Sequence, residues 1–223
     1  MTPESHQRQY LLHCGGYLSS TRVLLSRHPT TLFLGRHAVN NLTGPPSWAT
    51  TELMSRIADE LKIHQEREAG LRLYINPYRH WAGAWVGMWD INVMIEALKQ
   101  RGLRVTHHII YNPNLPNKIN EDLFDLRADI ISLGSRGFIL NETPGSWLLE
   151  LLSGNHWYAL RFNTDGLWIN CDSRLQHPEL IPGSPQSSGI SAPDTPGTLD
   201  ALMRFLRGRA VESGAQLFHF RDE

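Results

Sequence analysis

A histidine and an aspartate stand at the two ends of a predicted β-hairpin. His156 opens the apolar run 157–162, and Asp172 directly follows the run 167–171. Antiparallel pairing brings the start of one strand level with the end of its partner. An acid that accepts the imidazole N–H fixes the tautomer and raises the basicity of the other ring nitrogen, as in a general base and its orienting group. The hairpin alone leaves open a plain surface contact between the two side chains.

The two cysteines of the chain are the candidate nucleophiles for such a base. Cys171 directly precedes Asp172, and neighbouring residues of a strand point to opposite faces of the sheet. We therefore expect Cys171 to pack in the core. Cys14 would reach His156 only if the N-terminal segment folded back onto the domain, and a purely structural role for this thiol is the alternative.

Helical periodicity dominates the first half of the chain and predicts helices over 35–42, 51–64 and 90–101. Thr50 or Thr51 is the expected N-cap of the second helix. Asp90 is the expected N-cap of the third, and Gly102 its C′ residue. The apolar stripe of the third helix comprises Ile91, Met94, Ile95 and Leu98. These helices precede most of the predicted strands.

Short runs rich in β-branched and aromatic residues dominate the second half. They predict strands over 105–110, 130–133, 138–140, 157–162, 167–171 and 216–220. A helix capped by Thr198 is expected before the last strand, and residues 182–197, rich in Pro, Ser and Gly, form an expected exposed loop. Helices first and strands later predict an α+β domain with a largely antiparallel sheet.

Length and composition bound the function. The 223 residues fit one domain with an extension. The net charge of −1 supplies no field for a polyanion, so nucleic acid is not an expected partner. No run approaches the ~20 apolar residues of a membrane helix, and no secretory signal is visible. We expect a cytoplasmic protein. The N-terminal 51 residues, with four arginines against one acid, resemble a mitochondrial presequence, which is the alternative.

Several segments together resemble the Josephin domain. They are 37–42 (HAVNNL), 76–80 (NPYRH), 89–98 (WDINVMIEAL), 138–141 (FILN) and the hairpin ends 156–157 (HW) and 170–175 (NCDSRL). The resemblance runs from about residue 27 to 220 and is strongest to the short single-domain Josephins. It implies an N-terminal extension over 1–27 and a papain-like domain over 28–223, with N-terminal helices packed on a mainly antiparallel sheet. Josephins are cysteine proteases that cleave the ubiquitin C-terminal linkage.

The resemblance also assigns site residues. His156 matches the catalytic histidine of the family and Asp172 its orienting Asp or Asn. The family pattern Cys-x-x-His-x-x-Asn-Asn places the nucleophile three residues before His37, where this chain has Leu34. The glutamine that stabilises the oxyanion falls at Pro29. Leucine has no lone pair to attack a carbonyl, and proline has no N–H to donate to an oxyanion.

These losses predict a catalytically inactive Josephin-like protein that acts by protein binding. Ubiquitin, a ubiquitin-like protein or the subunits of a larger assembly are the expected partners. The alternative is an active cysteine deubiquitinase that uses a relocated nucleophile such as Cys14. No cofactor or metal is expected, because His64, His80, His107 and His108 lack the spacing of a metal site. For Trp81, Trp85 and Trp89, core packing and protein contact both stay open.

Overall fold

Helices cover both faces of one antiparallel sheet. The computed structural model describes residues 34–44, 46–79, 89–142, 156–163, 167–182 and 196–223. Within these ranges the helices are α1 (Leu34–Thr43), α2 (Thr51–Ala69), α3 (Ile91–Lys99), α4 (Lys118–Leu133) and α5 (Pro196–Ser213). The strands are β1 (Leu103–Ile109), β2 (Gly137–Glu142), β3 (His156–Phe162), β4 (Trp168–Cys171), β5 (Glu179–Leu180) and β6 (Gln216–Asp222). The sheet order is β1-β6-β2-β3-β4-β5, and each neighbouring pair is antiparallel.

Alternating side chains of the strands feed two separate hydrophobic cores. In β2, Ile139 packs with residues of α1, α2 and α3 on one face of the sheet. Its neighbours Phe138 and Leu140 pack with residues of α4 and α5 on the other face. This alternation follows from the two-residue period of a strand that is buried on both sides. The predicted α+β fold, with N-terminal helices packed on an antiparallel sheet, is confirmed.

The helix caps follow the sequence signals. The Thr50 hydroxyl accepts the backbone N–H of Leu53 at 3.2 Å, and the Asp90 carboxylate accepts the N–H of Asn92 at 2.8 Å. Helix α2 continues past the predicted end at residue 64 to Ala69, where Gly70 adopts the left-handed conformation with φ 63°. Glycine has no Cβ to oppose that conformation, so the helix ends there.

Two predictions at helix ends are wrong. Residues 130–133, predicted as a strand, form the last turn of α4. The consecutive isoleucines there have high strand propensity, but the buried residues Ile119, Leu123, Leu126 and Ile130 recur at helical spacing, and burial of that stripe decides the conformation. Thr198 is not a cap, because α5 begins at Pro196 and Thr198 is buried within its first turn. Proline is favoured at a first helical position, where its missing N–H would have no partner.

Some predictions fall outside the described residues. These concern Cys14, Pro29, His80, Trp81, Trp85 and most of the loop at 182–197. The boundary between extension and domain at residue 27 stays a prediction, as does the compartment. Among the described helices, none combines the length and the apolar character that crossing a membrane requires.

Candidate functional site

His156 and Asp172 meet where the β3–β4 hairpin opens. His156 is the first residue of β3, and Asp172 directly follows β4. The pairing of Ala159 with Cys171 brings these two ends level. Nε2 of His156 lies 2.7 Å from Oδ1 of Asp172, and the two residues are only 1% and 9% exposed. The predicted pairing is confirmed, and the alternative of a surface contact is wrong because both side chains are buried.

The Asp172 carboxylate is held in its ionised form. Its Oδ1 accepts the backbone N–H of Arg174 at 2.8 Å in addition to the His156 ring. Burial alone would raise the pKa of Asp172, but the hydrogen bonds from His156 and from the Arg174 N–H outweigh it and lower this pKa below its ordinary value. The backbone N–H of Asp172 donates to Oδ1 of Asn170 at 3.1 Å, which fixes the chain at the end of β4.

The ionised Asp172 determines which nitrogen of His156 is available. Because Nε2 faces an anionic acceptor, it carries the proton of the neutral ring, and Nδ1 keeps its lone pair. Nδ1 is buried and has no hydrogen-bond partner among the described residues. An unpaired buried polar atom costs about 1–3 kcal/mol. Nδ1 is therefore the atom that a general base at this site would use.

Helix α1 runs back along β3 toward His156. Its C-terminal end lies beside the end of β3, because a Cβ added at Gly44 would come 2.8 Å from Nη1 of Arg161. The Leu42 side chain approaches Gly137, which pairs with Arg161 in the sheet. A ten-residue helix is about 15 Å long. The five steps from Arg161 back to His156 cover about 17 Å. The N-terminus of α1 therefore lies level with the start of β3.

Leu34 is the first residue of α1, so the predicted nucleophile position begins this helix. The next residue, Gly35, packs closely against Trp89 and against Met94 of α3. A Cβ at position 35 would lie 3.2 Å from Sδ of Met94 and 3.5 Å from Cβ of Trp89. Trp89 is 3% exposed and belongs to the core, so core packing is the correct interpretation for this tryptophan. The N-terminal end of α1 is thus fixed by close packing against α3 and Trp89.

Two asparagines of α1 hold the helix in place, a role that the sequence analysis missed. Asn40 donates to the carbonyl of Ala49 at 3.0 Å and accepts the N–H groups of Trp48 and Ala49 at 3.0 and 2.9 Å. Asn41 donates to the carbonyl of Cys171 at 3.0 Å. Asparagine has low helix propensity, so two in succession inside a helix are the sequence signal for such tertiary contacts.

Comparison with known proteins agrees with this architecture. The family model described as Josephin matches residues 30–188. The chain belongs to the Josephin family. A Josephin-like protein of Arabidopsis thaliana is 30% identical over 149 residues, which cover 65% of this chain and 37% of that protein. Josephin-2 of Mus musculus and Josephin-2 of Homo sapiens are each 29% identical over 155 residues, which cover 65% of this chain and 65% of each relative. The chain thus matches less than two thirds of the length of these relatives.

The histidine of the Josephin helix motif, His37, is a weaker base than an ordinary histidine. It is largely buried, and burial together with the neighbouring Arg36 guanidinium lowers its pKa from 6.5 to about 4. A neutral imidazole at physiological pH fits its place between the buried residues of α1. The remaining candidates for chemistry on this helix are the residue at position 34 and the backbone N–H groups of the first turn.

A second buried polar network lies beside His156 in this Josephin domain, and nothing in the sequence pattern indicated it. The Tyr158 hydroxyl donates to Oε1 of Glu142 at 2.7 Å, and Nε of Arg209 donates to the Tyr158 oxygen at 2.9 Å. Nη2 of Arg209 also contacts Oε1 of Glu142. Burial and the Glu142 charge raise the pKa of Tyr158, so its hydroxyl stays protonated. We call Glu142, Tyr158 and Arg209 the Arg209 network.

The strand histidines of this Josephin domain do not form a metal site with the other described side chains, since no group of three or more His, Cys, Asp or Glu there could hold an ion. His108 is exposed and stacks on Phe218 with ring centroids 4.1 Å apart. His219 is buried between the hydroxyls of Thr106 and Ser135, at 2.6 and 2.9 Å. Burial, with a smaller effect of His107, lowers the pKa of His219 to about 3.

Proposed function

We propose that this Josephin-family chain acts by protein binding and does not cleave the ubiquitin linkage. The observations that support the proposal are the oriented His156–Asp172 pair and helix α1, which packs on the same sheet and begins with Leu34. The ring is oriented by its acid and presents an unpaired Nδ1. Leucine at the family's nucleophile position offers this base no proton to remove and no atom to attack a carbonyl. The covalent route of a cysteine protease would then have no first step.

The proposed partner is the C-terminal tail of ubiquitin or of a ubiquitin-like protein. Membership of the family and the retained orienting pair favour this partner over an unrelated one. Binding of a protein tail depends on many contacts along the tail. It does not require the nucleophilic atom, because binding and bond cleavage use different interactions. Ubiquitin binding without turnover is therefore the expected behaviour.

A scaffold or subunit role is the second candidate, and two exposed apolar surfaces favour it. Tyr74 and Ile75 are 97% and 72% exposed in a loop that the Asn76 side chain fastens to the Ala58 carbonyl of α2. Phe124 is 71% exposed on α4. Large apolar side chains held at a surface are typical of protein–protein contacts.

The proposal is tested with ubiquitin that carries a thiol-reactive group at its C-terminus. The purified full-length chain is incubated with this probe and read by intact mass. We expect no adduct from protein that is shown to be folded. An adduct on Cys14 that disappears in Cys14→Ala and in His156→Ala would overturn the proposal and establish the alternative of an active deubiquitinase with a relocated nucleophile.

Binding is tested separately by titrating isotopically labelled ubiquitin with the full-length chain and following its NMR spectrum. We expect shifts or broadening that include the residues of the C-terminal tail. Ubiquitin without its last residues is the matched control, and its binding should be weaker. An unchanged ubiquitin spectrum in the presence of folded chain would contradict tail recognition and favour the scaffold role.

A further inference from the structure

Glu142 is a second carboxylate beside the His156 ring. The two residues are directly opposite each other in the β2–β3 pairing, and they are 8% and 1% exposed. Side chains that oppose each other in an antiparallel pair lie on one face with Cβ atoms about 4.5–5.5 Å apart. An imidazole in that position has two buried acids within reach, Asp172 at the hairpin end and Glu142 across the strand.

The Glu142 carboxylate binds the other two members of the Arg209 network. Its Oε1 accepts the Tyr158 hydroxyl and the Arg209 guanidinium. The Tyr158 ring stacks on the His156 ring with centroids 5.3 Å apart and an interplanar angle of 28°. Tyr158 therefore contacts the imidazole through its ring and both members of the Glu142–Arg209 ion pair through its hydroxyl.

We infer that Arg209 is a positioning residue of the His156–Asp172 pair, because it neutralises Glu142 and keeps that carboxylate from binding the His156 ring. With Arg209 present, one anion faces the ring, and only Nε2 has an acceptor. Without Arg209, the buried Glu142 carboxylate would have lost its counter-ion and would keep only the Tyr158 hydroxyl as a donor. The His156 ring, directly opposite Glu142 in the strand pairing, is a further titratable donor. A ring flanked by two buried carboxylates favours the form with protons on both nitrogens.

The consequence for the site is the state of Nδ1. A proton on Nδ1 removes the lone pair that a general base would use, so the ring can no longer act as a base through that atom. The titratable groups around the pair in the described structure are Asp172 after β4 with Arg174 two residues on, Glu142 on β2, the neutral Tyr158 on β3 itself and Arg209 on α5. Of these, Arg209 is the partly exposed one, with 33% of its side chain accessible.

The test reads the protonation of His156 directly, by nitrogen NMR of the histidine rings of the full-length chain along a pH series. In the wild-type chain we expect the neutral ring with its proton on Nε2. In Arg209→Met we expect both ring nitrogens to stay protonated to a higher pH than in the wild type. The double variant Arg209→Met with Glu142→Gln should return to the wild-type spectrum, because the second carboxylate is gone. Arg204→Met, an exposed arginine of the same helix, is the matched control and should change nothing.

Two outcomes would overturn the inference. One is a His156 ring in Arg209→Met that titrates as in the wild type. The other is a double variant that does not recover, since the arginine would then act through general packing. If Arg209→Met does not fold, Arg209→Lys keeps the charge with fewer donors and should give an intermediate shift, and an unchanged ring in that variant would equally contradict the inference. The inference concerns the same pair as the proposed function, but its readout uses no ubiquitin, so the two proposals fail independently.

Discussion

The side chain of Asn41 donates a hydrogen bond of 3.0 Å to the backbone carbonyl of Cys171. This contact joins the helix that begins at Leu34 to the residue directly before Asp172. It therefore ties together the two halves of the candidate site, which lie 130 residues apart in the chain. We expect a cysteine at position 34 to reach the base at position 156 only while this contact and the packing around it hold.

Removal of this contact should weaken both the fold and the site. We expect Asn41→Ala to lower the free energy of unfolding by about 1–2 kcal/mol, because the part-buried Cys171 carbonyl loses that donor. Urea unfolding of the full-length chain measures the change. Asn114→Ala, in the exposed turn before α4, is the control and should stay within about 0.5 kcal/mol of the wild type. Equal stability of Asn41→Ala and the wild type would show that the contact does not hold α1.

Installation of a thiol at position 34 should restore nucleophilic chemistry. We expect Leu34→Cys to form an adduct with the thiol-reactive ubiquitin probe, because Nδ1 of His156 is already unpaired and its ring is already oriented by Asp172. Hydrolysis of a ubiquitin linkage should stay slow, since Pro29 supplies no oxyanion donor; loss of one such donor costs about 10²–10³ in kcat. Intact mass and a turnover assay measure the two effects.

The control for this gain of reactivity keeps the new thiol and removes the base. Leu34→Cys with His156→Ala should react at least tenfold more slowly than Leu34→Cys, in line with the 10²–10⁴ range of general-base contributions. Equal rates of the two variants would mean that the thiol reacts as an ordinary exposed cysteine. Leu34 would then not occupy the nucleophile position that the family motif assigns to it.

Local signals and family motifs predicted much of this protein. Helix α3 follows directly from its Asp90 cap and apolar stripe, and the His156–Asp172 contact follows from the hairpin. The strand predicted at 130–133 is wrong. Two adjacent isoleucines there favour a strand locally, but the apolar stripe of α4 is buried in the folded protein, and its burial stabilises the helix. The contact between Glu142 and Arg209 joins distant segments, and periodicity indicates only which face of an element is buried. Such pairings depend on tertiary packing.

The buried His219 should make stability depend on pH. Its pKa is 6.5 when unfolded and about 3 in the folded protein. Between these values the unfolded chain binds a proton that the folded chain does not, so stability falls as pH falls, by about 1.4 kcal/mol per pH unit for this one group. His219→Gln should remove that part of the slope, whereas the exposed His108→Gln should leave it. Urea unfolding along a pH series compares the slopes, and identical slopes for wild type and His219→Gln would contradict the prediction.

Gly137 should be the most sensitive glycine at the junction of α1 and the sheet. A Cβ added there would lie 2.3 Å from the Leu160 carbonyl oxygen and 2.6 Å from Cδ1 of Leu42, and φ is +148°. The backbone oxygen cannot yield, so either the β2–β3 pairing or α1 must move. We expect Gly137→Ala to destabilise the fold by about 3 kcal/mol or more.

Gly134→Ala is the matched control, because its φ is also positive, at +76°, but nothing lies within 4 Å of the added Cβ. It should cost only about 1–2 kcal/mol of backbone strain. Urea unfolding measures both, and equal losses would contradict the close packing of β3 and α1 on Gly137.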